Sequence, residues 1–206
     1  LIMYDHRLSS FEQPVTLIHP GEYLVSGDDM IISTVLGSCV AVALKDRESD
    51  VGGLNHFMLP SPFKRFVTPD FPAEFISDDG RYGSYAMELL INEMMKRGAK
   101  KSRIQAKVFG GASLLHLGPS PALSIASGNI DFAFEFLKTE GIPVISSDVG
   151  GDRARKILFF VRSGKVLLKR IQGTFNALVG EEDRTYLNRI TSKMIEGSVV
   201  WFKEPR

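Results

Sequence analysis

The chain has 206 residues, 44% hydrophobic and 24% charged, with a formal net charge of +1. That length fits one domain with terminal extensions more simply than two small domains, and so small a net charge supplies no field to gather nucleic acid, anionic membrane or acidic substrates. The single cysteine, Cys39, excludes an intramolecular disulfide. With no apolar run near the roughly 20 residues of a membrane span and no signal-peptide pattern, the expectation is a cytoplasmic chain in a reducing compartment, with neither nucleic acid binding nor membrane insertion.

Residues 1–16 mix charge, serine and proline without period and read as an N-terminal arm. The domain proper is expected over 17–179. Short β-branched runs bounded by turn residues predict strands over 23–25, 30–36, 39–44 and 53–59. Residues 60–80 carry four prolines and three aspartates, a composition for an irregular loop that would border an active site. Met87, Leu90, Ile91 and Met94 recur at helical spacing and predict a helix over 84–97, with Lys96 and Arg97 in its last turn and Gly98 ending it. A strand over 105–109 follows. Asn129 then caps a second helix that carries Phe132 and Phe136 one turn apart and stops at Gly141.

A strand over 142–146 precedes a hairpin of 156–162 and 165–171 turning through Ser163-Gly164. Beyond Gly180, Leu187, Ile190 and Met194 keep helical spacing, so residues 180–206 form an appended amphipathic helix expected to pack on the core. Mixed strands with two core helices predict an α/β fold, a layered sandwich of largely antiparallel strands and not a doubly wound sheet.

Cys39 follows Leu36-Gly37-Ser38 and opens an alternating run, which puts a thiol at a strand edge. A glycine beside a nucleophile allows a tight turn and a close substrate approach, and neighbouring amides can hold an oxyanion. His56, in Gly53-Leu54-Asn55-His56-Phe57, enters on the next strand and is the candidate base that would raise the thiolate fraction of Cys39. The bland alternatives are a buried core thiol and a histidine satisfied within the sheet. His6, His19 and His116 lack comparable context.

A third group should orient the imidazole, and Ser33, Thr34 and Asn55 are the candidates. The residues alone do not choose among these three, and Gly37, Ser38 and Asn55 are the expected substrate-binding positions. Gly110-Gly111 and Gly150-Gly151 lack a phosphate-loop spacing and read as tight turns. No metal or cofactor is implied.

Four ordered blocks resemble the CheD family of chemoreceptor glutamine deamidases: Leu36 to Val42, Gly53 to Pro60, Tyr82-Gly83 with Ala86-Met87-Glu88, and Lys107 to Ala112. The resemblance spans 20–171. It implies that Cys39 and His56 are catalytic and that no cofactor is needed. It also implies thioester chemistry on glutamine side chains of methyl-accepting chemotaxis receptors, and a CheC-type phosphatase competing for the receptor-binding surface. The family's third residue is similar in place to Ser33, where a threonine is expected, so the resemblance makes Ser33 the preferred third catalytic residue, with Thr34 as the alternative hydroxyl. Near Gly150 the family often continues with a glycine before Arg-Lys, where this chain has Arg153-Ala154-Arg155-Lys156. The rival readings are a non-catalytic receptor- or CheC-binding adaptor and a thiol hydrolase acting on another acyl group.

Overall fold

Short runs of β-branched residues bounded by glycine and polar turns form the strands, and the computed structural model describes them over residues 11–59, 78–114 and 125–196. The strands are β1 Val15–Leu17, β2 Tyr23–Ser26, β3 Ile31–Leu36, β4 Val40–Asp46, β5 Gly52–Asn55, β6 Ile104–Gly110, β7 Val144–Val149, β8 Arg155–Phe160 and β9 Val166–Arg170. The helices are α1 Asp78–Lys96, α2 Ile125–Thr139 and α3 Thr174–Glu196. The strands make two sheets, ordered β1-β3-β8-β9 and β2-β5-β4-β6-β7. Only β1–β3 and β6–β7 pair in parallel among the described strands. The fold is the expected α/β sandwich, with α1 and α2 on the outer face of the five-stranded sheet.

Alternation along β4 explains the layering. Val40, Val42 and Leu44 join the core beneath α1 and α2, with Met87, Leu90, Met94, Phe132 and Leu137. Each large side chain so buried contributes roughly 1.5–3 kcal/mol. Cys39, Ala41 and Ala43 point the other way, into the core between the sheets with Ile32, Leu36, Met58, Ile157 and Phe159. α3 closes that second core with Tyr186, Leu187 and Ile190.

Several boundaries differ from the sequence expectation. α2 begins at Ile125, so Asn129 lies in its second turn and does not cap it. Three hydrophobic or small residues, Ile125, Ala126 and Gly128, are buried in that first turn, and tertiary burial extends the helix past the polar residue that resembled a start. β1 begins inside the expected arm, and Phe11 packs edge-on against Phe160 with ring centroids 5.7 Å apart. α3 starts six residues before the expected extension, at Thr174. Of the expected loop over 60–80, residues 60–77 lie outside the described residues, as do His6 and His116. No described helix is long and apolar enough to cross a membrane.

Candidate active site

Leu36 ends β3 in one sheet and Val40 begins β4 in the other, so residues 37–39 carry the chain across the sandwich. Their carbonyls are fully engaged. The Gly37 carbonyl accepts from the Ala112 N–H at 2.7 Å, and the Cys39 carbonyl accepts from the Gly111 N–H at 2.7 Å. The Ser38 carbonyl accepts from Asn129 Nδ2 at 2.8 Å. Gly110 must be glycine, because its φ is +110° and a β-carbon there would overlap the Cys39 carbonyl oxygen. The Gly110-Gly111 turn is thus a cradle for the cysteine loop.

Val40 and Phe57 exchange backbone hydrogen bonds at 3.0 and 2.9 Å, which continues the β4–β5 register past the end of β5. Cys39 then stands opposite Met58 and Ala41 opposite His56, so Cys39 and His56 are diagonal neighbours on one sheet face. Such positions lie about 7–8 Å apart, a gap that an imidazole can span. The His56 backbone is pinned from the other side, its N–H donating to Glu22 and its carbonyl accepting from Gly21.

Thr34 crosses from the four-stranded sheet to meet the ring, its Oγ1 2.8 Å from His56 Nδ1. The same hydroxyl donates to the Ile18 carbonyl at 2.8 Å. A threonine has one hydroxyl hydrogen, so with that hydrogen on Ile18 the oxygen must accept from Nδ1–H. The network therefore assigns the tautomer with an unprotonated Nε2, and Nε2 is buried with no hydrogen-bond partner. Burial, and to a lesser degree the charge of His19, lowers the His56 pKa to about 3 and keeps the ring neutral.

The thiol hydrogen bond goes elsewhere. Cys39 Sγ lies 3.5 Å from Asp183 Oδ1, while Asp183 Oδ2 accepts from the Ser38 N–H at 2.5 Å and from Ser38 Oγ at 2.8 Å. Burial first, then the Asp183 charge and hydrogen bond, push the Cys39 pKa well above its ordinary value. Burial also raises the Asp183 pKa, against the opposing effect of its Ser38 and Cys39 hydrogen bonds. The thiol is accordingly protonated in this arrangement.

The hydroxyl that meets His56 belongs to Thr34, not to Ser33. On β3, Ile32, Thr34 and Leu36 face the inter-sheet core, which turns Ser33 to the opposite face, where its buried hydroxyl has no partner. Asn55 also departs from its expected role. Its Oδ1 accepts from the Val42 N–H at 2.9 Å and its Nδ2 lies 3.3 Å from the Ala86 carbonyl, so it fastens β4 to α1 on the face away from the thiol. Gly37 and Ser38 do lie at the thiol.

Sequence reasoning missed two residues. Asn129 bridges the site, with Oδ1 accepting from the Leu59 N–H at 2.7 Å and Nδ2 donating to Ser38. Asp183 arrives from α3, a polar residue on the same helical stripe as Val179, Leu187 and Ile190, and that break in an apolar face was its visible signal. Among the described residues no group of three His, Cys, Asp or Glu is placed to hold a metal ion.

Residues 58–170 match the family described as CheD chemotactic sensory transduction. A Herminiimonas arsenicoxydans protein named "Probable chemoreceptor glutamine deamidase CheD" is 40% identical over 201 residues, covering 98% of this chain and 94% of the relative. A Laribacter hongkongensis protein of the same name is 41% identical over 200 residues, covering 97% and 91%. The chain belongs to the CheD family. The similarity extends beyond the 20–171 expected from motifs, because alignments of this length must include most of the arm and of α3. Among solved structures, the Bacillus licheniformis hypothetical protein YfiH matches at 12% identity with a TM-score of 0.38, covering 62% of this CheD chain and 50% of that one. That likeness bears on neither fold nor function.

Proposed function

We propose that this chain is a chemoreceptor glutamine deamidase, hydrolysing glutamine side chains of methyl-accepting chemotaxis receptors to glutamate. The relatives' names supply the reaction, and one observation in the site supports it most: the Ser38 N–H, beside the Cys39 thiol, already holds a carboxylate oxygen. A donor that receives a carboxylate there suits the oxyanion that forms when a thiolate attacks an amide.

In this reading Cys39 is the nucleophile and His56 the base. Nε2 takes the thiol proton, and the thiolate forms a C–S bond to the amide carbon while the carbonyl electrons move onto oxygen at the Ser38 N–H. Collapse breaks the C–N bond, and the imidazolium passes its proton to the leaving ammonia. Water then attacks the thioester with Nε2 as base, giving glutamate and restoring the thiol. Thr34 positions the ring through Nδ1. The protein works in the cytoplasm, where the receptor helices lie, and a CheC-type phosphatase competes for the same surface.

Mass spectrometry of receptor fragments tests the reading. Wild type should convert glutamine to glutamate, and Cys39→Ala should abolish conversion while thermal unfolding stays near wild type. Conversion by Cys39→Ala at the wild-type rate would remove the thiol from the reaction.

A further inference from the structure

α3 presents one continuous face to the rest of the molecule. Asn176 fastens its start, accepting from the Ala154 N–H at 2.6 Å and donating to the Asp152 carbonyl at 3.2 Å. Val179 packs with Ala154 and Ile171, and Tyr186, Leu187 and Ile190 enter the core between the sheets. Between these anchors Asp183, only 4% exposed, reaches the cysteine loop. The helix comes so close that a β-carbon on Gly37 would overlap Asp183 Oδ2 and lie 3.0 Å from Val179 Cγ1.

A carboxylate and a primary amide are both planar and of nearly the same shape. Asp183 makes the contacts expected of a bound substrate amide, with one oxygen on the Ser38 N–H and hydroxyl and the carboxyl group beside the thiol sulfur. On the other side, His56 Nε2 is buried, aimed at no donor and without a partner. The oxyanion donor and the nucleophile are thus both occupied by the chain's own helix, while the base has its lone pair unspent.

We propose that α3 is a built-in pseudosubstrate: Asp183 fills the subsite for the substrate's side-chain amide, and the surface beneath α3 is where a helix bearing the target glutamine docks once α3 lifts. The identity of that incoming helix rests on the deamidase reading. Glutamine is one methylene longer than aspartate, so a substrate helix would ride slightly further from Gly37 than α3 does and would avoid its tightest contact. Closure by α3 also fits the quiescent thiol, because burial first, and then the Asp183 charge and hydrogen bond, keep the proton on sulfur.

Two readouts test this, alkylation of Cys39 by iodoacetamide at pH 8 and conversion of glutamine in receptor fragments. The variants are Asp183→Ala, Asp183→Asn and Ile190→Asp, the last loosening α3 without touching the cysteine loop, each checked for folding by thermal unfolding. Alkylation should accelerate about tenfold or more in Asp183→Ala and Ile190→Asp, and more modestly in Asp183→Asn, where shape is kept and charge is lost. Receptor conversion should rise in the same order. Unchanged alkylation in folded variants overturns the proposal, and so does faster alkylation with slower receptor conversion, which would make Asp183 part of the catalytic apparatus. If alkylation accelerates but neither wild type nor variants convert receptor glutamine, the deamidase reading fails and closure by α3 stands.

Discussion

His56 and Cys39 share a face of one sheet, yet His56 is fixed by strand-level contacts while Cys39 is fixed by groups that arrive from far along the chain. Around His56, the Gly21 and Glu22 backbone and the Thr34 hydroxyl leave one ring nitrogen committed and the other open. Around Cys39, the end of β6 lies below, Asn129 of α2 stands to one side and Asp183 of α3 sits above. A base needs one orientation throughout the reaction, and a sheet supplies that permanently. A nucleophile must be reached by substrate, and a loop beneath a separately anchored helix permits both a firm floor and a removable roof.

The permanence of the histidine side has a cost that acid should expose. Burial holds His56 at about 3 when its ordinary value is 6.5. Between those values the unfolded chain binds the proton more readily, so this stability is complete above about pH 6.5 and is lost as pH falls toward 3. The full loss is roughly 5 kcal/mol. Urea midpoints should stay level from pH 8 to about pH 6.5 and then fall toward pH 4 in wild type, and fall much less steeply over that lower range in His56→Gln. Equal slopes would show that the imidazole is not the group being titrated.

The floor of the cysteine side is probed by Asn129. Replacing it with alanine leaves the Ser38 carbonyl and the Leu59 N–H, both internal, without their partner. An unpaired buried polar group costs about 1–3 kcal/mol, so Asn129→Ala should lose about 3 kcal/mol in urea unfolding. Because Asn129 holds the cysteine loop and not the Thr34–His56 bond, single-turnover deamidation should slow while the acid dependence keeps its window. A variant with wild-type stability would mean that the loop is held by the glycine cradle alone.

How far the sequence could be read follows from the same contrast. The strands around Cys39 and His56 were legible because alternation and turn residues are local, and the diagonal placement of the pair follows from a register set by neighbouring strands. The glycine pair at 110 and 111 was legible as a turn, but its purpose depends on the Cys39 carbonyl, about seventy residues earlier in the chain. Asn129 resembled a helix cap because side-chain amides favour caps, and only the burial of α2's first turn shows otherwise. Asp183 could be seen as a polar break in an amphipathic helix, but not what it faces. The choice between Ser33 and Thr34 depended on which face of β3 turns inward, and the apolar residues around them, Ile32 and Leu36, share the face of Thr34.

That choice gives the finest test of the histidine side. Thr34→Val keeps the branched shape but removes the oxygen that accepts from Nδ1–H and donates to the Ile18 carbonyl. The ring loses the contact that selects its tautomer, and turnover should fall about 10- to 100-fold with the thiol still present. Ser33→Ala removes a hydroxyl that is buried and makes no hydrogen bond, so it takes away a desolvation cost and no interaction. Its turnover should stay within about twofold of wild type, with stability unchanged or slightly raised. Ser33→Thr should bring no gain, because the hydroxyl would face away from the ring. Single-turnover deamidation of the three variants, with the pH profile of Cys39 alkylation beside it, separates orientation from packing: only Thr34→Val should alter that profile. A loss in Ser33→Ala as large as in Thr34→Val would mean that β3 presents its other face during turnover, and that the histidine side is as movable as the cysteine side.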